Sequence, residues 1–327
     1  MPTPSITSIT PACAITGGRI AILGSGFPVS PGLPDVSVGS QPARVVFASS
    51  SELGVVVATD ESGTVPVHVD GAVDQGSLSL GVSVATGLHQ VDNPVFDRDG
   101  NLFLTYSGTR GQQVPVSIFR VGRSGTRESF SSGVTNPTSM AVSSDGELFV
   151  SSRFEGAVYR LKEDGSADLF ASDLGIPCGL AFAPDGSLFV GDRSGTVFEV
   201  GRNGQSRTLA TLPSSIAAFH LALGSDGLYV TAPTLSARDV IYRITFDGAV
   251  SVVHSGFGRP QGIAFSPDGT LHVVEALAGA SGVYRLPAGG APELIVAGPQ
   301  LVGVAFGGGN HMIVCSSDSA YRIPAVG

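Results

Sequence analysis

The sequence predicts an all-β protein: a β-sandwich followed by a six-bladed β-propeller closed by a strand upstream of the first blade. Three observations carry that expectation. Short apolar alternations fill residues 1–80, an Asp-Gly turn recurs about every 40 residues from 81 to 327, and the 45 glycines fall largely in turn-forming pairs. The 327 residues exceed one small core and fit two domains, 1–80 and 81–327.

In the first segment, Arg19-Ile20-Ala21-Ile22-Leu23 is one strand, entered from Gly17-Gly18 and left through Gly24-Ser25-Gly26. Val36-Ser37-Val38, Arg44-Val45-Val46-Phe47, Val55-Val56-Val57 and Val65-Pro66-Val67-His68-Val69 follow. Apolar residues at every second position place one face of each strand in a core, as a sandwich requires.

The repeat is anchored at Asp99-Gly100, Asp145-Gly146, Asp185-Gly186, Asp226-Gly227 and Asp268-Gly269, in steps of 46, 40, 41 and 42 residues, with a degenerate copy at Gly309-Asn310. Each Asp-Gly separates two apolar runs, because the turn needs residues that accept positive φ. A third strand carries an aromatic-Arg pair, as in Tyr159-Arg160 and Tyr284-Arg285; the third copy has Phe198-Glu199 instead. A fourth strand completes each unit, as in Asp168-Leu169-Phe170-Ala171. Four strands per unit is blade periodicity. The last copy stops after its third strand, so Val82-Ser83-Val84-Ala85 is expected to supply the fourth and latch the ring.

Composition excludes some functions. Charged residues are 14% and the formal net charge is −9, without a basic cluster to follow a phosphate backbone or an anionic membrane. No apolar run approaches the roughly 20 residues of a membrane span. Met1 to Thr10 lacks the basic and apolar segments of a signal peptide, so the expected compartment is the cytoplasm, or the exterior after removal of a leader. Cys13, Cys178 and Cys315 show no metal or disulfide spacing and read as buried apolar residues.

Two resemblances add to this reading. Ser5-Ile6-Thr7-Ser8-Ile9-Thr10-Pro11, Gly17 to Phe27, Val36-Ser37-Val38-Gly39 with Pro42-Ala43, and Gly63 to Val69 resemble the IPT/TIG family of immunoglobulin-like domains, which act mostly as spacers or adhesion modules. Pro177-Cys178-Gly179-Leu180-Ala181-Phe182-Ala183-Pro184-Asp185-Gly186 and Pro260-Gln261-Gly262-Ile263-Ala264-Phe265-Ser266-Pro267-Asp268-Gly269 resemble NHL-repeat propellers and the gluconolactonase/senescence marker protein family.

Ligand sites of propellers lie at a mouth of the axis. Counting seven residues back from each Asp-Gly aspartate gives an expected inner ring of Asp92, Thr138, Cys178, Phe219, Gln261 and Val302. The gluconolactonase resemblance implies one divalent cation, such as Ca²⁺, held by carboxylate and amide ligands from this ring. Asp92 matches the family's acidic position; Cys178 stands where the family has Asn, and Gln261 where it has a later Asp.

A second ring after the second strands holds Tyr106, Ser152, Asp192, Ala232, Glu275 and Ser316. Asp192 and Glu275 could join Asp92 as an acidic mouth, binding a cation or supplying a general base. Alternatively they are solvated or paired with Arg153 and Arg193. His220 is expected to point away from the axis if Phe219 points toward it, and His89 lies near the same mouth. Two functions follow: a binding propeller for a small molecule, glycan or protein, or a metal-dependent lactone or ester hydrolase using Asp92, Gln261 and Glu275. A structural subunit of a larger assembly is a third.

Overall fold

The computed structural model describes residues 3–30, 32–277, 279–308 and 311–324; the degenerate turn at 309–310 lies outside them. Among the described residues there is no helix, hence none long and apolar enough to cross a membrane.

Eight strands form the sandwich: β1 (Ser5–Thr10), β2 (Cys13–Ala14), β3 (Arg19–Ser25), β4 (Val36–Val38), β5 (Gln41–Ala48), β6 (Glu52–Val56), β7 (Gly63–Val69) and β8 (Gly76–Leu80). One layer runs β1-β3-β6-β5 and the other β4-β7-β8-β2. The alternation read from sequence is the burial pattern: Val65, Val67 and Val69 of β7 are buried, with Thr64, Pro66 and His68 outward. They meet Ile20, Ile22, Leu53 and Val55 in one core. Each such side chain contributes at most about 1.5–3 kcal/mol.

Strand β9 (Val82–Thr86) leaves the sandwich, and four-stranded units follow. They are β10 (Val95–Phe96), β11 (Leu102–Thr105), β12 (Ile118–Val121) and β13 (Arg127–Ser131); β14 (Pro137–Val142), β15 (Leu148–Ser152), β16 (Ala157–Leu161) and β17 (Ala167–Ala171). Next come β18 (Pro177–Phe182), β19 (Leu188–Asp192), β20 (Thr196–Val200) and β21 (Ser206–Thr211); then β22 (His220–Gly224), β23 (Gly227–Thr231), β24 (Asp239–Ile244) and β25 (Val250–Phe257). The chain ends with β26 (Pro260–Phe265), β27 (Leu271–Glu275), β28 (Gly282–Leu286) and β29 (Glu293–Ala297), and with β30 (Leu301–Phe306), β31 (His311–Ser316) and β32 (Ser319–Pro324).

Five free-standing four-stranded sheets result where six were expected. The quartet β26–β29 is not a separate sheet, because β2 pairs in parallel with both β8 and the outer strand β29 (Cys13↔Val296, Ala14↔Ala297). Sandwich and quartet thus share one twelve-stranded sheet. This covers the edge of β29, which would otherwise invite pairing with another chain. Ile15 N donates to Ala297 O at 2.9 Å, and Cys13 and Ile15 enter a propeller-side cluster with Val296, Leu301 and Ile323. In the last sheet β9 pairs antiparallel with β32 (Ser319↔Thr86, Ala320↔Ala85, Tyr321↔Ser83, Arg322↔Val82).

The first strands of successive units touch in the cycle β10–β14–β18–β22–β26–β30–β10, a propeller-like arrangement. The Asp-Gly glycines sit at positive φ, for example Gly146 at 87° and Gly186 at 88°, as their turns require.

Candidate functional site

The residues expected to form one inner ring are divided by the structure. Cys178 and Phe219 are buried in an apolar cluster with Val197, Leu221 and Val230, and Val302 packs on Leu102, Leu104 and Ile313. Thr138 is buried and its hydroxyl turns to Asn136 O at 3.4 Å. Gln261 is buried, and its backbone carbonyl accepts the Thr231 hydroxyl at 2.5 Å. Asp92 alone of the six has a side chain engaged with the far side of the ring.

Its partner is His220. Asp92 Oδ1 lies 2.5 Å from His220 Nδ1, and the two side chains are 2% and 0% exposed. Asp92 precedes β10 and His220 opens β22, which stand opposite in the cycle of inner strands. The hydrogen bond is therefore a strut across the axis. This corrects the expectation that His220 points away: Phe219 is the residue that turns into the core, so alternation along the strand brings His220 to the axis. The level of His220, six residues before the Asp-Gly aspartate, is also that of Asn93, Ser139, Gly179, Gly262 and Gly303. Glycine is needed at three of these positions: a Cβ on Gly179 would lie 2.3 Å from Phe219 O. A Cβ on Gly262 would lie 2.4 Å from Asn93 Oδ1 and 2.7 Å from Gly303 Cα, and one on Gly303 would lie 2.6 Å from Asp92 O.

Asp92 is held from several sides. Asn93 N donates to the same Oδ1 at 2.7 Å. Gln90, wholly buried, donates from Nε2 to Asp92 O at 2.8 Å, while its Oε1 accepts Thr105 N at 2.7 Å and the Thr105 hydroxyl at 3.1 Å. Sequence reading missed Gln90, which lies outside the repeat. With Nδ1 of His220 engaged by Asp92, Nε2 is the ring nitrogen left to meet another group. Nε2 is buried and has no protein partner.

The second ring is a set of loop braces. Glu275, 3% exposed, accepts Gly258 N at 2.5 Å, Arg259 N at 2.8 Å and Leu277 N at 2.7 Å. Asp192, 4% exposed, accepts Ile176 N at 2.8 Å, Ser194 N at 3.2 Å and the Ser194 hydroxyl. At equivalent positions the Ser152 hydroxyl donates to Thr135 O at 2.6 Å and that of Ser316 to Asp318 Oδ1 at 2.7 Å. Ala232 is buried, and Tyr106 packs edge-on to His89 with ring centroids 6.1 Å apart.

The expected pairing of Asp192 and Glu275 with Arg153 and Arg193 gives way to these amides. Arg153 Nη2 donates instead to Gly108 O at 3.3 Å, and Arg193 donates to Ser215 O at 3.3 Å and Ile216 O at 3.1 Å. Burial, with Arg193 and Arg110 close by, pulls Arg153 below the usual guanidinium range. Burial pushes the Cys178 thiol up to about 12, so it is not a nucleophile at neutral pH.

A hard cation needs six or more oxygen ligands. Asp92 Oδ1 already takes two donors and the carboxylates of Asp192 and Glu275 are taken by amides and a hydroxyl, so Asp92 and Glu275 do not fit the expected Ca²⁺, and the amide oxygen of Gln261 is too little to hold it. Among the described residues no three His, Cys, Asp or Glu side chains converge. Replacing Glu275 by Ala should strand three amides and lower stability by roughly 2–3 kcal/mol in urea denaturation. A variant as stable as the parent would refute the brace.

Residues 4–84 match the IPT/TIG domain model. No curated protein matches the chain. Among solved structures it is similar to an auxiliary nutrient binding protein from Bacteroides ovatus, at 13% identity and TM-score 0.56, over 98% of this chain and 97% of that one. It is similar to a gluconolactonase from Xanthomonas campestris at 15% and 0.61, over 90% and 99%. Virginiamycin B lyase from Staphylococcus aureus follows at 17% and 0.52, over 74% and 86%. At such identities the likeness concerns the fold, an all-β propeller-like arrangement that here carries an IPT/TIG domain.

Proposed function

We propose that this chain is a ligand-binding propeller of six blades, with β26–β29 as the fifth and β9 latching the sixth, whose mouth beside Asp92 takes a small polar molecule or glycan. The IPT/TIG domain, 1–80, is its rigidly fixed spacer. One observation carries the reading: the carboxylates that a hydrolytic metal would need are committed to the protein's own amides and to His220. What remains at this mouth is a rim of hydrogen-bonding groups, among them Tyr106, His89, Arg153 and Arg193. Two auxiliary nutrient binding proteins among the similar solved structures, each matched over 98% of this chain, are in keeping with it.

The rival is a metal-dependent lactone or ester hydrolase, which the likeness to gluconolactonases and the unpartnered Nε2 of His220 favour. Calorimetric titration with a panel of neutral and acidic saccharides should give a saturable ligand whose affinity falls at least tenfold in Arg153→Ala. Lactone hydrolysis should stay at the buffer rate with or without added Ca²⁺. Chelator-sensitive turnover, abolished in His220→Asn, would establish the hydrolase instead.

A further inference from the structure

On the side of the Asp-Gly turns, beyond Asn93, the inner strands surround a second space: a cavity of about 300 Å³. Phe96, Met140, Phe182, Leu223, Ala264 and Phe306 line it, one from each of β10, β14, β18, β22, β26 and β30. Among the described residues none of its lining is charged, in a chain of net charge −9.

Only Asn93 and Ser139 at its inner end are polar, and both side chains are engaged. Asn93 donates to Ile263 O at 2.8 Å and accepts Val304 N at 2.9 Å; Ser139 Oγ accepts Leu180 N at 3.1 Å. The three phenylalanines are half-buried yet held. Phe96 stands edge-on to His311, Phe182 edge-on to Phe149 at 4.9 Å, and Phe306 tilts onto His272 at 4.7 Å. Such walls are formed before any ligand arrives, which removes part of the cost of binding.

We propose that this funnel is a ligand site separate from the polar mouth, and that it takes a neutral, flat apolar molecule of about the size of a bicyclic aromatic. A charged group would enter without a counter-ion, and a sugar would find only two polar side chains, both at the closed inner end and each already holding a backbone group. The Asn93 bridge and the Asp92–His220 strut close the inner end, so the molecule enters from the turn side. The volume is at the lower limit of small-molecule sites and suits a compact ring system.

The chain has no tryptophan, so indole fluorescence can be followed against six tyrosines alone. Titration of indole with the full-length chain should give a blue-shifted emission that follows a one-site isotherm, with half-saturation on the order of a millimolar. Toluene should displace it; benzoate and glucose should not. Leu223→Asp, which places a carboxylate in the wall, and Ala264→Phe, which fills the space, should each weaken binding at least about tenfold while the thermal transition is retained. Emission unshifted up to the solubility limit of indole, or displacement by benzoate and glucose as readily as by toluene, would overturn the proposal. So would a shift that survives in whichever of the two variants folds.

Discussion

A chain truncated to begin at Leu88 is expected to show no cooperative thermal transition, whereas one beginning at Gly81 should fold with a lowered midpoint. The first truncation removes β9 and leaves the whole edge of β32 unpaired, from Ser319 to Arg322. It also takes Ala85 and Val84 out of a cluster that joins Leu102, Leu104, Ile313 and Ala320, so the core shared by the first and last units is thinned. Without β9 the last unit is reduced to three strands with an open outer edge, and its packing on the first unit is weakened at the same time, so the loss exceeds the burial of one strand. The second truncation keeps the latch but uncovers β29 and removes Cys13 and Ile15 from their cluster. That species should associate through the exposed edge. Calorimetry and size-exclusion chromatography distinguish the cases. A chain beginning at Leu88 that melts cooperatively within a few degrees of the parent would refute the latch.

Asp92→Ala is expected to cost about 3–5 kcal/mol, a fall of on the order of 10 °C in the melting temperature. The substitution strands Nδ1 of His220 at a site with no access to water, and frees the Asn93 amide as well. His220→Leu should cost somewhat less, because Asn93 N still holds the carboxylate. Paired urea and thermal denaturation measure both. If either variant stayed within 1 kcal/mol of the parent by the same criterion, the strut would not hold the inner strands together.

Much of the architecture was legible because it follows from local chemistry. Alternating valines mark β7, and each Asp-Gly pair marks the turn between the first two strands of a unit, since both signals reside in neighbouring residues. The expected fourth strand for the last unit is where β9 lies. The pairing of β2 with β29 was not legible: Cys13–Ala14 is two residues long, and its partner lies nearly 300 residues away. The count of separate sheets therefore differed from the count of repeats.

The site was read less well, for a related reason. Counting back from a turn finds equivalent positions but not the direction of a side chain near a strand's end. Phe219 and His220 are adjacent, and packing of the larger apolar ring into the core decided which of them meets the axis. Asp192 and Glu275 have the composition of an acidic mouth, yet unpaired amides in the preceding loops claim both carboxylates.

Periodicity and turn residues alone established an all-β chain with a sandwich ahead of a repeating four-stranded unit, because hydrogen-bonded neighbours and backbone dihedrals are set within a few residues. The cross-axis strut and the fused sheet arose from contacts between residues more than a hundred positions apart, and the apolar funnel from six strands of six different repeats. Their geometry exists only once the inner strands have closed around the axis and excluded water from it.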